Sequence, residues 1–276
     1  MKIAISLAAL AAALVATPVL AQAAPAAAPT AAEAEAFLTK AEKALFDQSI
    51  ISGRAAWINA TYITDDTDAI ASYFGAIDTK QRVDFALEAA KYATAPGLSA
   101  ETRRRLNLLQ TALTLPAPTT AGAAEELNEL ATKLQSAYGK GKGTLKGQPI
   151  NGSDIEEQMG VNRNPQELKE MWVSWHDNVG APMRDDYVKL VGIANAGSKE
   201  LGFADTGAMW RSKYDMPADD FAKLTDKIWA EVKPLYDELH CYTRTKLNEK
   251  YGDAVQPATG PIRADLLGNM WAQEWG

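Results

Sequence analysis

What most restricts the fold of this chain is the placement of its prolines. They leave long unbroken stretches: Thr30 to Ala95, Gly97 to Leu115, Thr119 to Gln148 and Met183 to Met216. Alternating Val/Ile/Thr runs bounded by turns are almost absent, so almost nothing reads as a half-buried strand. The start and stop signals are those of helices. Asn164-Pro165-Gln166-Glu167 offers a capping box with proline at the first helical position, where its missing N–H costs nothing, and Ser153…Glu156 offers another. Each such cap is worth about 1 kcal/mol. After Asn164, the positions Leu168, Met171, Trp172, Trp175 and Val179 step at helical spacing, and Gly180 is expected to close the run. Tyr187, Leu190, Val191, Ala194 and Leu201 repeat the pattern before Gly202. From Pro217, the row Phe221, Leu224, Ile228, Val232, Leu235, Leu239 and Tyr242 continues to Gly252. Pro234 is expected to kink or divide that helix, because it removes one backbone donor and crowds the preceding turn. The expected fold class is all-α.

A last helix is expected from Pro261. On it Ile262, Leu266 and Met270 would form one apolar row and Leu267, Trp271 and Trp275 a second. A helix apolar on two faces belongs in the interior of a larger body. Gln273 falls on the first row, so a neutral amide points where hydrocarbon is expected. The stripe Trp172, Trp175, Trp210, Trp229 and Trp271 reads as core aromatic packing rather than a ligand cage. Gly139-Lys140-Gly141-Lys142-Gly143-Thr144-Leu145-Lys146-Gly147 lacks the spacing of a phosphate-binding loop and reads as a mobile basic loop. Thr64-Asp65-Asp66-Thr67-Asp68 lacks the Gly and distal Glu of a calcium loop and reads as an acid-rich helix start.

Residues 1–23 read as a secretory signal: Lys2, an apolar run from Ile3 to Val15, and Ala21-Gln22-Ala23 as the cleavage site. Residues 24–32, with Pro25 and Pro29, read as a flexible leader, and 33–276 as the folded part. The expected location is secreted or periplasmic. Removing the signal takes away Lys2 and no acid, which moves the formal charge from −7 to −8. That balance argues against nucleic acid or an anionic membrane surface as partner. The apolar run is too short for a stable membrane span. His176 and His240 are the chain's two histidines and neither precedes Glu, so no His-Glu-x-x-His occurs. Cys241 is the single cysteine; among apolar helix positions it reads as a buried, inert thiol.

Several segments, in order, carry a family likeness. They are Trp172…Trp175-His176-Asp177, Trp210-Arg211-Ser212, Pro234-Leu235-Tyr236 with Leu239-His240, Tyr251-Gly252-Asp253, and Gly260-Pro261-Ile262 followed by Leu266-Leu267-Gly268-Asn269-Met270-Trp271-Ala272-Gln273. Weaker matches lie at Ala124-Glu125-Glu126-Leu127-Asn128 and around Trp57. Together they resemble the angiotensin-converting-enzyme family of zinc-dependent peptidyl-dipeptidases. The resemblance implies the N-terminal helical part of a larger, mostly helical two-lobed metallopeptidase domain. The zinc ligands and the partners of the chloride sites would then lie in a C-terminal half, a required partner. It implies short peptides as substrates, no catalytic residue or metal ligand in this chain, and zinc and chloride only in the complete enzyme.

By the same resemblance, Gln273 helps hold the substrate's C-terminal carboxylate, and His176 and Tyr214 contribute to two anion sites. Without the resemblance, Gln273 reads as a core amide bonded to backbone and His176 as a satisfied histidine beside Trp172. Glu274 departs from the small hydroxyl residue expected there, and two cysteines expected near the basic loop are absent. A rival reading is a non-catalytic helical protein, derived from such a peptidase, that binds peptides or docks to a separate half. Either way, Trp271 and Trp275 are expected to need partners, so the isolated chain should be poorly soluble or molten.

Overall fold

The structure is a computed structural model that describes residues 28–275. The expected signal peptide, and the leader up to residue 27, lie outside the described residues. Thr30 is the N-cap of α1 (Ala31–Thr61), so Ala31 and Ala32 are helical although the leader was expected to reach them. The Thr30 hydroxyl accepts from Glu33 N, and the Glu33 carboxylate accepts from Thr30 N at 2.8 Å. The acid-rich stretch starts α2 (Asp65–Tyr92) as expected, with Thr64 as cap and Asp65, Asp66 and Asp68 in the first turn. α1, α2 and α3 (Ala100–Thr111) enclose Ala34, Leu38, Ala89, Leu98 and Leu106. Arg105 ties α3 to α1 through Glu42 at 2.7 Å.

A second core lies between α4 (Ala123–Lys140) and α7 (Ala181–Glu200), built from Leu127, Leu130, Leu134, Leu190 and Ala194. Here Gly197 comes so close to the chain before α4 that a Cβ would sit 2.3 Å from Pro116 O.

The basic segment is not a loose loop. α4 runs to Lys140, then β1 (Lys142–Leu145) pairs antiparallel with β2 (Gln148–Asn151), Lys142 opposite Asn151 and Leu145 opposite Gln148. Lys146 and Gly147 turn the hairpin with positive φ, the backbone such two-residue turns require. Glu170 fixes the turn: its carboxylate accepts from Lys146 N at 3.0 Å and Gly147 N at 2.8 Å. Those two bonds also hold the Glu170 carboxyl below its usual range. The fold is therefore mostly helical, with this one two-stranded ribbon among the described residues.

The third core joins α5 (Gly152–Val161) and α6 (Pro165–Trp175) through Ile155, Met159, Leu168, Met171 and Trp175. Asn151, not Ser153, caps α5, its Oδ1 accepting from Asp154 N at 2.9 Å. Asn164 caps α6 as expected, accepting from Gln166 N at 3.0 Å. The return half of that box is replaced: Asn164 N donates to Asn162 Oδ1 at 2.8 Å.

Gly180 does not end a helix. Residues His176–Gly180 form a π turn that runs directly into α7, with Ala181 N bonded to His176 O. Pro182, the second residue of α7, has no N–H to give, and the wider turn absorbs the mismatch. α7 does end at Leu201, before Gly202 at φ +89°.

α8 (Thr206–Arg211) and a 3₁₀ turn (Ser212–Tyr214) lead to α9 (Ala218–Tyr251). α9 passes through Pro234 undivided, and none of its residues is buried. Cys241 is accordingly exposed rather than buried. Of the five tryptophans read as a core stripe, Trp175 is buried and Trp172 partly so, while Trp210, Trp229 and Trp271 are exposed. The three exposed ones lie on α8, α9 and the final segment.

Candidate functional site

The final helix expected to carry Gln273 does not form. After Pro261 the chain makes one 3₁₀ turn (Ala264–Leu266) and then folds back irregularly. Gly268 takes φ +76°, and a Cβ there would meet Glu274 O at 2.6 Å. Buried Asn269 captures the next donors, its Oδ1 accepting from Trp271 N at 3.0 Å and Gln273 N at 3.3 Å. These N–H groups are no longer available to helical carbonyls, which is how an Asx turn competes with helix. The Gly268-Asn269 pair was the sequence signal for this. Leu266 and Met270 still reach the α5–α6 core, as their expected row required. The segment is anchored upstream, where Arg263 pairs with buried Asp265 and donates to Pro165 O at the start of α6.

The consequence for Gln273 is exposure. Its backbone is held by Asn269, while its side-chain amide makes no hydrogen bond among the described residues. It is neither a core amide nor bonded to neighbouring backbone. Two residues on, the Trp275 ring lies 5.8 Å from Tyr236 and 6.1 Å from His240 of α9, so the segment leans on that helix.

His176 opens the π turn. Its ring stacks on Trp172 at 3.9 Å, and its Nδ1 is 2.7 Å from Trp172 O. A carbonyl only accepts, so Nδ1 carries the proton and Nε2 is left for another partner. Trp172 Nε1 is buried and has no partner among the described residues. Tyr214 ends the 3₁₀ turn, its ring stacked on Phe221 at 3.9 Å and its side chain exposed. Nearby, Arg211 Nε is also buried without a partner among the described residues. Burial pushes the Lys213 ammonium below its usual pKa while its Nζ donates to Leu113 O at 3.0 Å.

Gln273, His176 and Tyr214 therefore stand on three separate elements, and the His176 and Tyr214 elements share no packed interface. The structure does not gather them into one site. Sequence reasoning missed the two orphaned donors; the π turn that follows Trp172 was signalled by Pro182 shortly after Gly180.

A zinc site does not fit these residues. His176 has only Nε2 to offer, and the Nδ1 of His240 lies 3.5 Å from the Arg244 guanidinium, a cation that would repel a metal ion there. Among the described residues, no three His, Cys, Asp or Glu side chains are placed to hold a metal. No helix of the described residues is long and apolar enough to cross a membrane.

The described residues form a mostly helical framework that carries the ordered motifs read in the sequence. A family model described as angiotensin-converting enzyme matches residues 28–276, and the chain belongs to that family. It is 31% identical over 249 residues to an angiotensin-converting enzyme of Haematobia irritans exigua, covering 88% of this chain and 40% of the fly protein. It is 32% identical over 223 residues to the mouse angiotensin-converting enzyme-like protein Ace3, covering 80% of this chain and 30% of that protein. The rabbit angiotensin-converting enzyme is 30% identical over 260 residues, with 88% and 18% covered. The chain thus spans well under half the length of the curated relatives it matches.

Proposed function

We propose that this chain is the N-terminal portion of an exported zinc-dependent peptidyl-dipeptidase that releases C-terminal dipeptides from short peptides. The observation that carries the reading is the family match across residues 28–276, joined to an exposed Gln273 whose side-chain amide makes no hydrogen bond among the described residues. An enzyme of this kind must recognise a free carboxylate two residues beyond the scissile bond. A neutral amide donates to that carboxylate without the desolvation cost of a second buried ion. The zinc ligands and the water-activating acid belong to sequence outside this chain, since its own donor set does not suit the metal. When bound, the metal supplies a polarised carbonyl and an activated water.

His176 and Tyr214 serve two separate anion sites. The orphaned donors Trp172 Nε1 and Arg211 Nε support an acceptor nearby, and chloride is an acceptor that needs no proton. Each site takes further cationic or indole donors from outside the chain. Alone, the chain hydrolyses nothing and binds neither zinc nor chloride.

In the assembled enzyme, Gln273→Leu should raise KM for a free-carboxylate peptide about 10- to 100-fold, the worth of one hydrogen bond to a charged group. The same change should leave a C-terminally amidated peptide untouched. Equal effects on both peptides would remove Gln273 from carboxylate recognition. A chelator-sensitive peptidase signal from purified residues 24–276 alone would overturn the division of labour. Export is tested by N-terminal sequencing of the mature protein, with residue 24 expected first; retention of Met1 would refute it.

The rival reading is a non-catalytic, peptide-binding derivative of the family, and experiment separates the two. Calorimetric binding of a free-carboxylate peptide to the chain by itself would support that alternative.

A further inference from the structure

Asn151 stands before Gly152, and no other asparagine of the chain precedes glycine. The fold imposes both residues, for unrelated reasons. Gly152 opens α5 against the third core, where a Cβ would meet the Trp175 ring at 2.7 Å, closer than packed atoms come. Any side chain at this position would push α5 away from Trp175. Asn151 caps α5: its Oδ1 accepts from Asp154 N at 2.9 Å and its Nδ2 donates to Asp154 Oδ2 at 2.8 Å. An N-cap favours a short side chain with a polar oxygen. Core packing on one side and capping on the other thus place a primary amide beside the least shielded backbone nitrogen a chain can offer.

That juxtaposition has its own chemistry. Gly152 is the first residue of α5, so its N–H lies outside the helical ladder, and it donates no hydrogen bond among the described residues. Asn151 is exposed and lies at the open end of the hairpin, opposite Lys142, where water reaches it and fraying begins. Gly152 N can close on Asn151 Cγ. The N–Cγ bond forms, the Cγ–Nδ2 bond breaks, and Nδ2 leaves as ammonia with the proton that Gly152 N gives up. Water then opens the cyclic imide. Cleavage at Cγ leaves aspartate, and cleavage at the main-chain carbonyl carbon leaves an isoaspartyl link. Water is the sole co-reactant.

The folded state restrains the step. Asn151 is extended, at ψ 167°, and both polar atoms of its amide are held by Asp154. Ring closure needs rotation about this ψ and release of the cap. We infer that Asn151–Gly152 is a self-acting deamidation site of this chain, latched by the α5 cap. The isoaspartyl product inserts a carbon into the main chain between β2 and α5, which shifts Gly152 against Trp175. Trp175 shares its core with Met270, so the change reaches the segment that carries Gln273.

The test is to age the full chain at mildly alkaline pH, with and without denaturing urea. Each asparagine is followed by peptide mass spectrometry and by enzymatic methylation of isoaspartyl links. Asn151 is expected to convert before any other asparagine in both conditions. In the fold it should convert about 5- to 30-fold more slowly than in urea, the factor a cap of this kind imposes. Asp154→Ala removes the acceptor of Asn151 Nδ2 and should speed conversion in the folded chain while leaving the rate in urea unchanged. Asp154 is exposed, so this variant keeps the fold. Gly152→Ala should strongly slow conversion in urea, where packing against Trp175 plays no part. Another asparagine converting first in the fold, or equal wild-type rates in the fold and in urea, would overturn the inference. So would an Asp154→Ala rate equal to wild type in the fold, or a Gly152→Ala rate equal to wild type in urea.

Discussion

In α6, Leu168, Met171 and Trp175 follow one another at helical spacing and are all buried. In α9, Phe221, Leu224, Ile228, Leu235 and Leu239 follow one another at similar spacing and none is buried. The two helices differ in company, not in pattern. α6 is enclosed by α5, the β1–β2 hairpin and the chain near Met270, while α9 meets neighbours chiefly at its ends. Amphipathic periodicity thus states which face a helix needs to bury and is silent on whether the burying surface lies in the same described body.

The comparison can be broken by measuring stability along it. Met171→Ala in α6 should cost about 2–5 kcal/mol in denaturant unfolding, the usual loss for an emptied core position. A loss under about 1 kcal/mol would mean the α5–α6 core is not tightly packed. Gly197→Ala, which forces a Cβ against the backbone at Pro116, should cost about 1–3 kcal/mol. Unchanged stability there would show that α7 can move away from the chain before α4. Removing the α6 cap with Asn164→Ala should cost about 1 kcal/mol.

A smaller effect distinguishes the hairpin by pH. Glu170 is held below its ordinary value of 4.5 by the Gly147 and Lys146 N–H groups, so the folded state favours its charged form. Its contribution is present above the unfolded pKa and is lost as pH falls through the folded one. Wild type should therefore exceed Glu170→Gln in stability at neutral pH, with the gap closing below about pH 4. A gap constant in pH would assign the hairpin to packing alone. Smallest of all, Leu235→Ala in α9 should change the stability of the chain by less than about 0.5 kcal/mol. A cost equal to that of Met171→Ala would show that α9 is already covered, and would end the contrast.

Much of the framework was legible because caps and periodicity act locally. Asn164 with Pro165, Thr64 with its acids, and Leu201 before Gly202 are each satisfied within a turn or two of chain. The misreadings arose where a distant group outbid the local preference. Gly139–Gly147 looks loose until Glu170, on α6, supplies the acceptors that order its turn. Gly180 looks like a stop until Pro182 makes a π turn cheaper than a break. Residues 261–276 have the apolar spacing of a helix, yet Asn269 takes the N–H groups that helix would use. Gln273 has the spacing of a buried position yet is exposed, because exposure follows from that turn and not from spacing.

Sequence by itself determined that this chain is mostly helical, acidic and a member of the angiotensin-converting enzyme family. Those properties reside in residue order, backbone propensity and charge, which travel with the chain. Tertiary structure alone decided that, among the described residues, Gln273 is exposed, Trp172 Nε1 and Arg211 Nε have no partner, and no residue of α9 is buried. Each of these depends on which groups arrive from far along the chain, and hydrogen bonds and apolar contacts count only once both partners are in place.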